Sequence, residues 1–591
     1  MQIRKLIITS LIFLVLWVPV MSKENHFKIR GVLPWHNFLS GPTAWNENDY
    51  KVYLDRMQEL NLNFIGFHCY TGGAERYASY VEPMIKIQYR NTVPEAGFDT
   101  GITARWGYRP LLLKDYAFET GKLFPQHQSY YGADCAVSAA SNQERYEKAQ
   151  TLMRRVMEMA HERDIKFGMG FEFGVYPPEF ASVAPQDYRI PGTMLPDPTH
   201  HCSVEILQLT IDDILSAYPD IDYVWLWLHE LTCYVAQPTL AGDFKNLFDE
   251  KSHYFADAQS KDAAITGVWC LEFIEQAYTY IKKKAPDVNV VIGGWGGGDQ
   301  LPAILSGLDL ALPKDIVFSC LNPNQGWSPQ LDILSEITQN RDVWAIPWLE
   351  GDRKLWHMQP RVKLMHDQVS RAHQHNLDGV VAIHWRTAET RQNLNAFATY
   401  AGCPKNPPSI KEIYQKDCEN WFGKKAASEL VPLLVKMDVQ QWLNEPTSPE
   451  FYPYHPGWGR ISPELETKLN DLARIVQSHS DNTSNKFFKQ NLDWLSSNIM
   501  FTILLDKVGK NMEPAFELKK QYYTGKCEIP DKDEIFKAKT KLASAPVKEL
   551  FDTFKNRELD RGELGVLSSV NQRLWQQYRD LNDFIEFIEM Q

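Results

Sequence analysis

Two glutamates stand directly after apolar, tryptophan-rich runs, where a carboxylate can act on a glycosidic bond. Glu230 ends the run WLWLHE, and Glu350 ends the run AIPWLE. Burying a carboxylate among aromatic side chains costs free energy, which indicates that the group has a purpose there. Hydrolysis of a glycosidic bond uses two carboxyl groups: one protonates the leaving oxygen, and the other attacks carbon or activates water. We therefore predict Glu230 as the general acid and Glu350 as the nucleophile or base, with a structural ion pair or a helix cap as the alternative.

Other polar and aromatic side chains end similar apolar runs, and their types suit the recognition of sugar hydroxyls and ring faces. The predicted substrate-binding residues are Trp35, His36, His68, Tyr70, Glu172, His229, Trp295, Asn322, Asp352, Trp385 and Arg386. A guanidinium can hold a carboxylate through two hydrogen bonds, so Arg386 indicates a uronic acid. The alternative for Arg386 is an ion pair with Glu350 or Asp352. The histidines and cysteines lack metal-ligand spacing, and no metal or other cofactor is expected.

Eight short apolar runs position these residues, and each is followed by a helix-like stretch. In chain order the runs read RGVLPWH, NFIGFHCY, KFGMGFEFG, YVWLWLHE, NVVIGGWGG, DIVFSCLNPN, VWAIPWLEGD and GVVAIHWRTAE. Strands buried on both faces read as continuous apolar runs, and their alternation with helices indicates a parallel sheet. The pattern predicts an α/β fold, a (β/α)8 TIM barrel, whose active site lies at the carboxyl ends of the strands.

The barrel is predicted over residues 27–403, followed by a helical C-terminal region over 409–591. A segment of about residues 73–141 follows the second strand and is rich in Gly, Tyr and Pro. Long connections without clear elements are usually functional, so this insertion is predicted to hang over the end of the barrel. From Ser409 onward, charged and apolar residues alternate at helical spacing. The C-terminal region could shape the pocket rim or serve assembly, and the sequence does not decide between the two.

The N-terminus predicts export. Arg4 and Lys5 precede an apolar stretch from Leu6 to about Met21, and polar residues follow, as in a secretory signal peptide over residues 1–22. A single N-terminal membrane anchor is the alternative. We expect a periplasmic or extracellular protein without stable membrane insertion after signal removal. The net charge of −12 argues against a nucleic-acid partner, because such proteins normally carry a basic surface. The sequence makes no prediction of the oligomeric state.

On these residues the chain resembles the clan of barrel glycoside hydrolases whose acid/base Glu ends strand four and whose nucleophile Glu ends strand seven. The resemblance covers about residues 27–403 and rests on the barrel pattern with Glu230 and Glu350. The clan usually has Asn before the acid/base, whereas this chain has His229, so the retaining mechanism stays open. The opening segment RGVLPWHNFLSGPTAWNENDYKVYLDRMQELNLNFIGFHCY is also similar to the barrel start of alpha-glucuronidase-type hydrolases. Those enzymes invert, and that resemblance implies Glu230 as acid and the pair Glu350 and Asp352 as base.

The sequence thus predicts an exported, exo-acting glycoside hydrolase that takes a carbohydrate derived from a polysaccharide. Two other classes stay open. A polysaccharide lyase acting on uronic acids could use His68, Tyr70 and Arg386. A barrel that binds glycans without cleaving them would keep the tryptophans and tolerate loss of the carboxylates. The separation of the two catalytic carboxyl groups would decide between retention and inversion.

Overall fold

A closed barrel of parallel strands forms the first two thirds of the chain. The structure, a computed structural model, describes residues 27–36, 38–72, 83–96, 111–193, 195–228, 240–294, 303–324, 326–328, 332–351, 355–443, 461–525, 529–555, 557 and 559–591. Eight strands pair in chain order, and the last pairs with the first. The predicted (β/α)8 barrel is confirmed, because parallel neighbours joined by helices are the pattern that the eight apolar runs indicated.

The strands and helices alternate through the barrel, and the regular elements in the described residues after it are helices. The strands are β1 Ile29–Pro34, β2 Phe64–Cys69, β3 Lys166–Phe173, β4 Tyr223–Leu228, β5 Asn289–Gly293, β6 Val317–Leu321, β7 Val343–Ile346 and β8 Gly379–His384. The barrel helices are α1 Glu47–Glu59, α2 Asp134–Val137, α3 Asn142–His161, α4 His201–Ala217, α5 Gly242–Lys251, α6 Lys261–Lys284, α7 Leu305–Ala311, α8 Leu334–Ile337, α9 Val362–Gln374 and α10 Arg391–Gly402. The C-terminal helices are α11 Ile410–Phe422, α12 Lys424–Val439, α13 Pro463–Asn482, α14 Lys486–Thr524, α15 Lys532–Ala543, α16 Val547–Asp552, α17 Arg561–Val570 and α18 Gln576–Glu589, with a π-helical turn at Asn571–Trp575 between the last two.

Alternate residues of each strand point to opposite sides of the barrel wall. One hydrophobic cluster fills the barrel and includes Leu33 and Trp35 of the first strand and Trp225 and Trp227 of the fourth. The intervening side chains, such as Val32, belong to a second cluster between the barrel and its outer helices. The end of the barrel formed by the carboxyl ends of the strands is here called the mouth. The alternation determines which of the strand-end side chains point into it.

The C-terminal helices pack on the barrel and on part of the insertion. Leu113, Tyr116 and Phe124 of the insertion share a hydrophobic cluster with the helices from α14 onward. The Tyr116 hydroxyl lies 2.6 Å from Ser568 Oγ, and Asn571 Oδ1 accepts a 2.8 Å hydrogen bond from the Ala117 amide. The described parts of the insertion therefore lie against helices, and 73–82 and 97–110 fall outside the described residues.

The predicted signal peptide, residues 1–22, falls outside the described residues and stays a prediction. Among the helices that the structure describes, none combines the length and apolar character needed to cross a bilayer.

Candidate functional site

Five of the predicted substrate-binding residues meet inside the mouth. Trp35, His68, Tyr70, Glu172 and Trp385 follow the inward positions of their strands, and each is at most 4% exposed. The Trp35 and His68 rings stack with centroids 4.1 Å apart, and Trp35 Nε1 donates a 3.4 Å hydrogen bond to the Tyr70 hydroxyl. Residues from the ends of β1, β2, β3 and β8 thus form one group, as the barrel topology requires.

Glu172 and His68 form the polar centre of this group. His68 Nε2 and Glu172 Oε1 are 3.3 Å apart, and both side chains are buried. β2 and β3 pair so that His68 lies beside Gly170, and β3 and β4 pair so that Glu172 lies beside Trp227. A carboxylate among aromatic rings is costly unless it is hydrogen-bonded, and His68 provides one such bond. The couple can hold or move a proton where a sugar hydroxyl or a glycosidic oxygen would enter.

Glu350 has a different environment, because its carboxylate is enclosed by the turn after β8. Oε1 accepts hydrogen bonds from the backbone amides of Trp385 and Arg386 at 2.8 and 2.6 Å. Oε2 accepts a 2.5 Å hydrogen bond from Arg386 Nε, and neither side chain has any exposed surface. The ion pair considered for Arg386 from the sequence is therefore present. Oε1 of Glu350 stabilises the backbone of this turn, and Oε2 holds the Arg386 side chain.

Arg386 is held within the protein rather than presented at the mouth. Its Nη1 donates a 2.7 Å hydrogen bond to the Leu355 carbonyl oxygen, and the same atom lies 3.8 Å from Glu389. A guanidinium so enclosed supports the loop that follows β7. These contacts favour the structural alternative over recognition of a uronic acid.

His36 and Asn322 face the outer helices, because each follows an inward residue by one position. His36 Nε2 lies 3.1 Å from the Tyr50 hydroxyl on α1, and burial lowers the pKa of His36 to about 3. Asn322 Nδ2 donates a hydrogen bond to Gln368 on α9. The structure thus does not bring these two residues to the five inside the mouth. His384, another strand-end histidine, likewise contacts Tyr53 on α1.

Four predicted site residues, His229, Glu230, Trp295 and Asp352, fall outside the described residues, so their roles stay predictions. Glu230 stands two positions after Leu228, which ends β4 and pairs with Phe173. β4 thus lies beside the strand that carries Glu172.

Two further tryptophans, Trp227 and Trp348, line the inside of the mouth. The Trp227 and His68 rings meet edge to face with their centroids 5.3 Å apart, and the ring centroids of Trp348 and Trp385 are 5.7 Å apart. Applying the two-residue alternation to each predicted strand could have identified both as inward.

Two residues that sequence reasoning missed hold the loop that carries Glu350. Gln359 Oε1 accepts a 2.7 Å hydrogen bond from the Gly351 amide, and its Nε2 donates to the Gly351 carbonyl oxygen at 2.8 Å. Asn393 Nδ2 donates a 2.8 Å hydrogen bond to the Leu349 carbonyl oxygen. Nothing in their sequence spacing marks these contacts, because Gln359 and Asn393 come from different segments that only the fold brings together.

Among the described residues, no group of three or more His, Cys, Asp and Glu side chains is arranged to hold a metal ion.

Comparison with known proteins gives a likeness of fold. No protein-family model matches the chain, and no curated protein matches it. Among solved structures, the chain is similar to a GH115 4-O-methyl-α-glucuronidase with specificity for decorated arabinogalactans, with a TM-score of 0.51 at 10% identity. That match covers 93% of this chain and 62% of the glucuronidase chain.

Two further solved structures are more distant. A GH138 enzyme targeting the pectin rhamnogalacturonan II matches with a TM-score of 0.48 at 12% identity, covering 96% of this chain and 69% of that one. An O-GlcNAc hydrolase from Thermobaculum terrenum matches with a TM-score of 0.42 at 12% identity, covering 96% of both chains. The predicted likeness to barrel glycoside hydrolases is confirmed at the level of the fold, a (β/α)8 barrel.

Proposed function

We propose that this protein is a glycoside hydrolase whose site is the mouth of the barrel. The observation that supports this most directly is the Glu172–His68 couple, enclosed by Trp35 and Trp227 at the carboxyl ends of adjacent strands. Aromatic faces suit the apolar faces of sugar rings, and a carboxylate among them can attack the anomeric carbon or take a proton from water. The fold shared with glycoside hydrolases agrees with this assignment.

We assign Glu230 as the general acid, as the sequence predicts, and Glu172 as the second carboxylate. The acid protonates the glycosidic oxygen while the bond from the anomeric carbon to that oxygen breaks. The second carboxylate attacks the anomeric carbon or takes a proton from the attacking water, so that one water molecule is consumed overall. Glu350 was predicted for this second role, but its two oxygens already stabilise Arg386 and the backbone after β8.

The substrate class is a carbohydrate, and we propose an exo-acting enzyme on polysaccharide-derived oligosaccharides. The sequence feature that supported a uronic acid, Arg386, is enclosed with Glu350, so neutral sugars belong in the test beside acidic ones. We also propose export to the periplasm or the cell exterior, which the N-terminal pattern of residues 1–22 supports.

The test is release of reducing sugar from a panel of neutral and uronic-acid-bearing oligosaccharides. Glu230→Gln and Glu172→Gln should each lower kcat by about 10²–10⁴-fold, the range expected for loss of a general acid or base. Glu350→Gln should chiefly lower the melting temperature. Glu272→Gln, which removes a partly buried carboxylate 2.6 Å from Lys251 on the outer helices, is the control.

The outcomes of this assay separate the proposed function from its alternatives. Loss of turnover in Glu350→Gln, with an unchanged melting temperature, would restore Glu350 as the second carboxylate. Full turnover in both Glu230→Gln and Glu172→Gln would contradict the two-carboxylate proposal. Glycan binding without any sugar release would identify a non-catalytic glycan-binding barrel, and an unsaturated product absorbing in the ultraviolet would identify a lyase.

A further inference from the structure

The beginning of α17, in the C-terminal region, contacts three separate loops of the barrel. These loops follow β1, β2 and β8, so all of them leave the carboxyl ends of strands. Loops at that end of a (β/α)8 barrel carry the functional residues, whereas contacts at the opposite end serve stability. The helix therefore reaches the mouth although it lies more than 150 residues after the last strand in the sequence.

Arg561 joins the first two loops through backbone oxygens. Its Nε and Nη2 donate hydrogen bonds to the Ala44 carbonyl oxygen at 2.9 and 2.5 Å. Nη2 also donates to the Gly132 carbonyl oxygen at 3.1 Å, and the Tyr131 hydroxyl donates to the Arg561 carbonyl oxygen at 2.7 Å. One side chain thus holds the loop after β1 to the insertion after β2.

Asp560 joins the helix to the third loop. Its Oδ1 accepts a 2.9 Å hydrogen bond from the Glu563 amide and so caps α17, while its Oδ2 accepts a hydrogen bond from the Thr387 hydroxyl. Thr387 stands two residues after Trp385, one of the aromatic side chains inside the mouth.

The helix backbone itself rests on the loop after β1. A Cβ atom added to Gly565 would lie 2.0 Å from the Leu39 carbonyl oxygen, and one added to Gly562 would lie 3.2 Å from the Ser40 carbonyl oxygen. Glycine is required at Gly565 because any side chain would separate the helix from this loop. Close backbone packing of this kind sets the position of the loop directly.

We propose that the beginning of α17 is a positioning element of the candidate active site, and that Asp560 and Arg561 set the geometry of the mouth. This inference rests on the proposed function. The contacts reach the backbone of the loop that follows Trp35 and the Thr387 side chain in the loop that follows Trp385, so they fix where these two tryptophans lie. Positioning matters for catalysis because a displacement of about 1 Å can cost about 10²-fold in rate.

The variants separate positioning from stability. Arg561→Gln removes the bonds to Ala44 and Gly132, and Thr387→Val removes the bond to Asp560 while the cap of α17 stays intact. Thr387→Ser keeps the hydroxyl and serves as the conservative variant. Arg154→Gln is the matched control, because Arg154 Nε donates a 2.8 Å hydrogen bond to the Ala217 carbonyl oxygen at the end of the barrel opposite the mouth.

The measurements are kcat, KM and melting temperature on the full chain, with hydrogen exchange of the backbone amides. We expect Arg561→Gln and Thr387→Val to lower kcat/KM by about tenfold or more at temperatures where they remain folded, mainly through KM. Thr387→Ser should restore the wild-type value, and Arg154→Gln should change only the melting temperature. Equal effects of Arg561→Gln and Arg154→Gln on kcat/KM would overturn the inference.

Hydrogen exchange separates this inference from the proposed function. If the wild-type chain releases no sugar, the proposed function fails, and the exchange data still test the positioning role. Faster exchange at residues 38–45 and 385–390 in Arg561→Gln, but not in Arg154→Gln, would support it. Unchanged exchange at those residues would overturn it.

Discussion

At the scale of single residues, the contacts of a buried carboxylate distinguish a structural role from a chemical one. Glu350 is bonded to two backbone amides and a guanidinium, all within 2.8 Å. Glu172 faces the barrel axis beside His68, whose ring stacks on Trp35. A carboxylate whose lone pairs are used by its own loop stabilises that loop, whereas one aimed into the mouth can meet a substrate.

Breaking the Arg386–Glu350 pair should be strongly destabilising. Arg386→Gln leaves Glu350 buried without its cation, and removing one partner of a buried ion pair typically costs about 3–5 kcal/mol. The control is Arg371→Gln, whose partner Asp332 is 85% exposed and where the expected loss is about 0–1 kcal/mol. Urea unfolding checks both variants, and equal losses would show that the Arg386 pair contributes no more than a surface pair.

At the scale of elements, glycine and large aromatic residues share the interior of the barrel. A Cβ atom added to Gly379 would lie 2.5 Å from Trp344 Cδ1, and one added to Gly170 would lie 2.6 Å from Trp227 Nε1. A (β/α)8 barrel is filled by layers of side chains, and branched aliphatic residues are usual there. This chain combines such residues with several tryptophans, and the positions that Trp344 and Trp227 approach most closely are glycines.

The packing of Trp344 against Gly379 predicts strong coupling between the two positions. Gly379→Ala should lower the free energy of unfolding by about 1–3 kcal/mol, because it adds a methyl group to filled space. Trp344→Ala removes the ring atoms nearest to Gly379, so the double variant should be more stable than the sum of the single losses predicts. A double-mutant cycle by urea unfolding measures the coupling, expected at about 0.5–3 kcal/mol. If the loss in the double variant equals the sum of the two single losses, the close contact between positions 344 and 379 is contradicted.

At the scale of the whole molecule, a buried ionic cluster joins the barrel to the C-terminal helices. Glu563 Oε1 accepts a 2.7 Å hydrogen bond from Trp494 Nε1 and lies 3.2 Å from Arg557 Nη1. Glu389, directly before α10, is 3% exposed and lies 3.8 Å from Arg386. The facing charged groups are Arg386, Arg391, Arg557 and Asp560. Since Arg386 is already paired with Glu350, the buried carboxyl groups of Glu389 and Glu563 share the cations of this cluster with Asp560, and Asp417 also faces Arg391.

This cluster predicts a stability that decreases as the pH rises. Burial raises the pKa of Glu389 to about 7 and that of Glu563 to about 8, whereas the unfolded chain releases these protons near pH 4.5. Between pH 4.5 and these values the folded protein holds protons that the unfolded chain has lost. The stabilisation is therefore complete below about pH 4.5 and decreases until the pH reaches about 7 for Glu389 and about 8 for Glu563. The loss is about 1.4 kcal/mol for each pH unit over which one proton is released.

Glu563→Gln tests this, because the amide resembles the protonated carboxyl group. Relative to wild type, the variant should gain melting temperature as the pH increases from 6 to 9. Glu464→Gln, at an exposed carboxylate near Lys468, is the control and should follow wild type. A parallel pH profile for Glu563→Gln and wild type would show that Glu563 ionises normally.

The barrel and the strand ends that carry the candidate site could be predicted from the amino-acid sequence. Periodic apolar runs encode strands, and parallel strands bring their carboxyl ends to one mouth whatever the details of packing. The helical character of the C-terminal region was predicted for the same reason, since residues three to four apart share a helix face.

Only the tertiary structure decided which strand-end residues face one another. Trp35, His68 and Glu172 meet because each occupies an inward position, whereas His36 and Asn322 lie one residue later and contact outer helices. The role of Glu350 depended on Arg386, and the link from α17 to the mouth depended on residues hundreds of positions apart. Such contacts join segments that are distant in the chain. Local sequence patterns predict where a strand lies, but they do not predict which side chain from another segment it will contact.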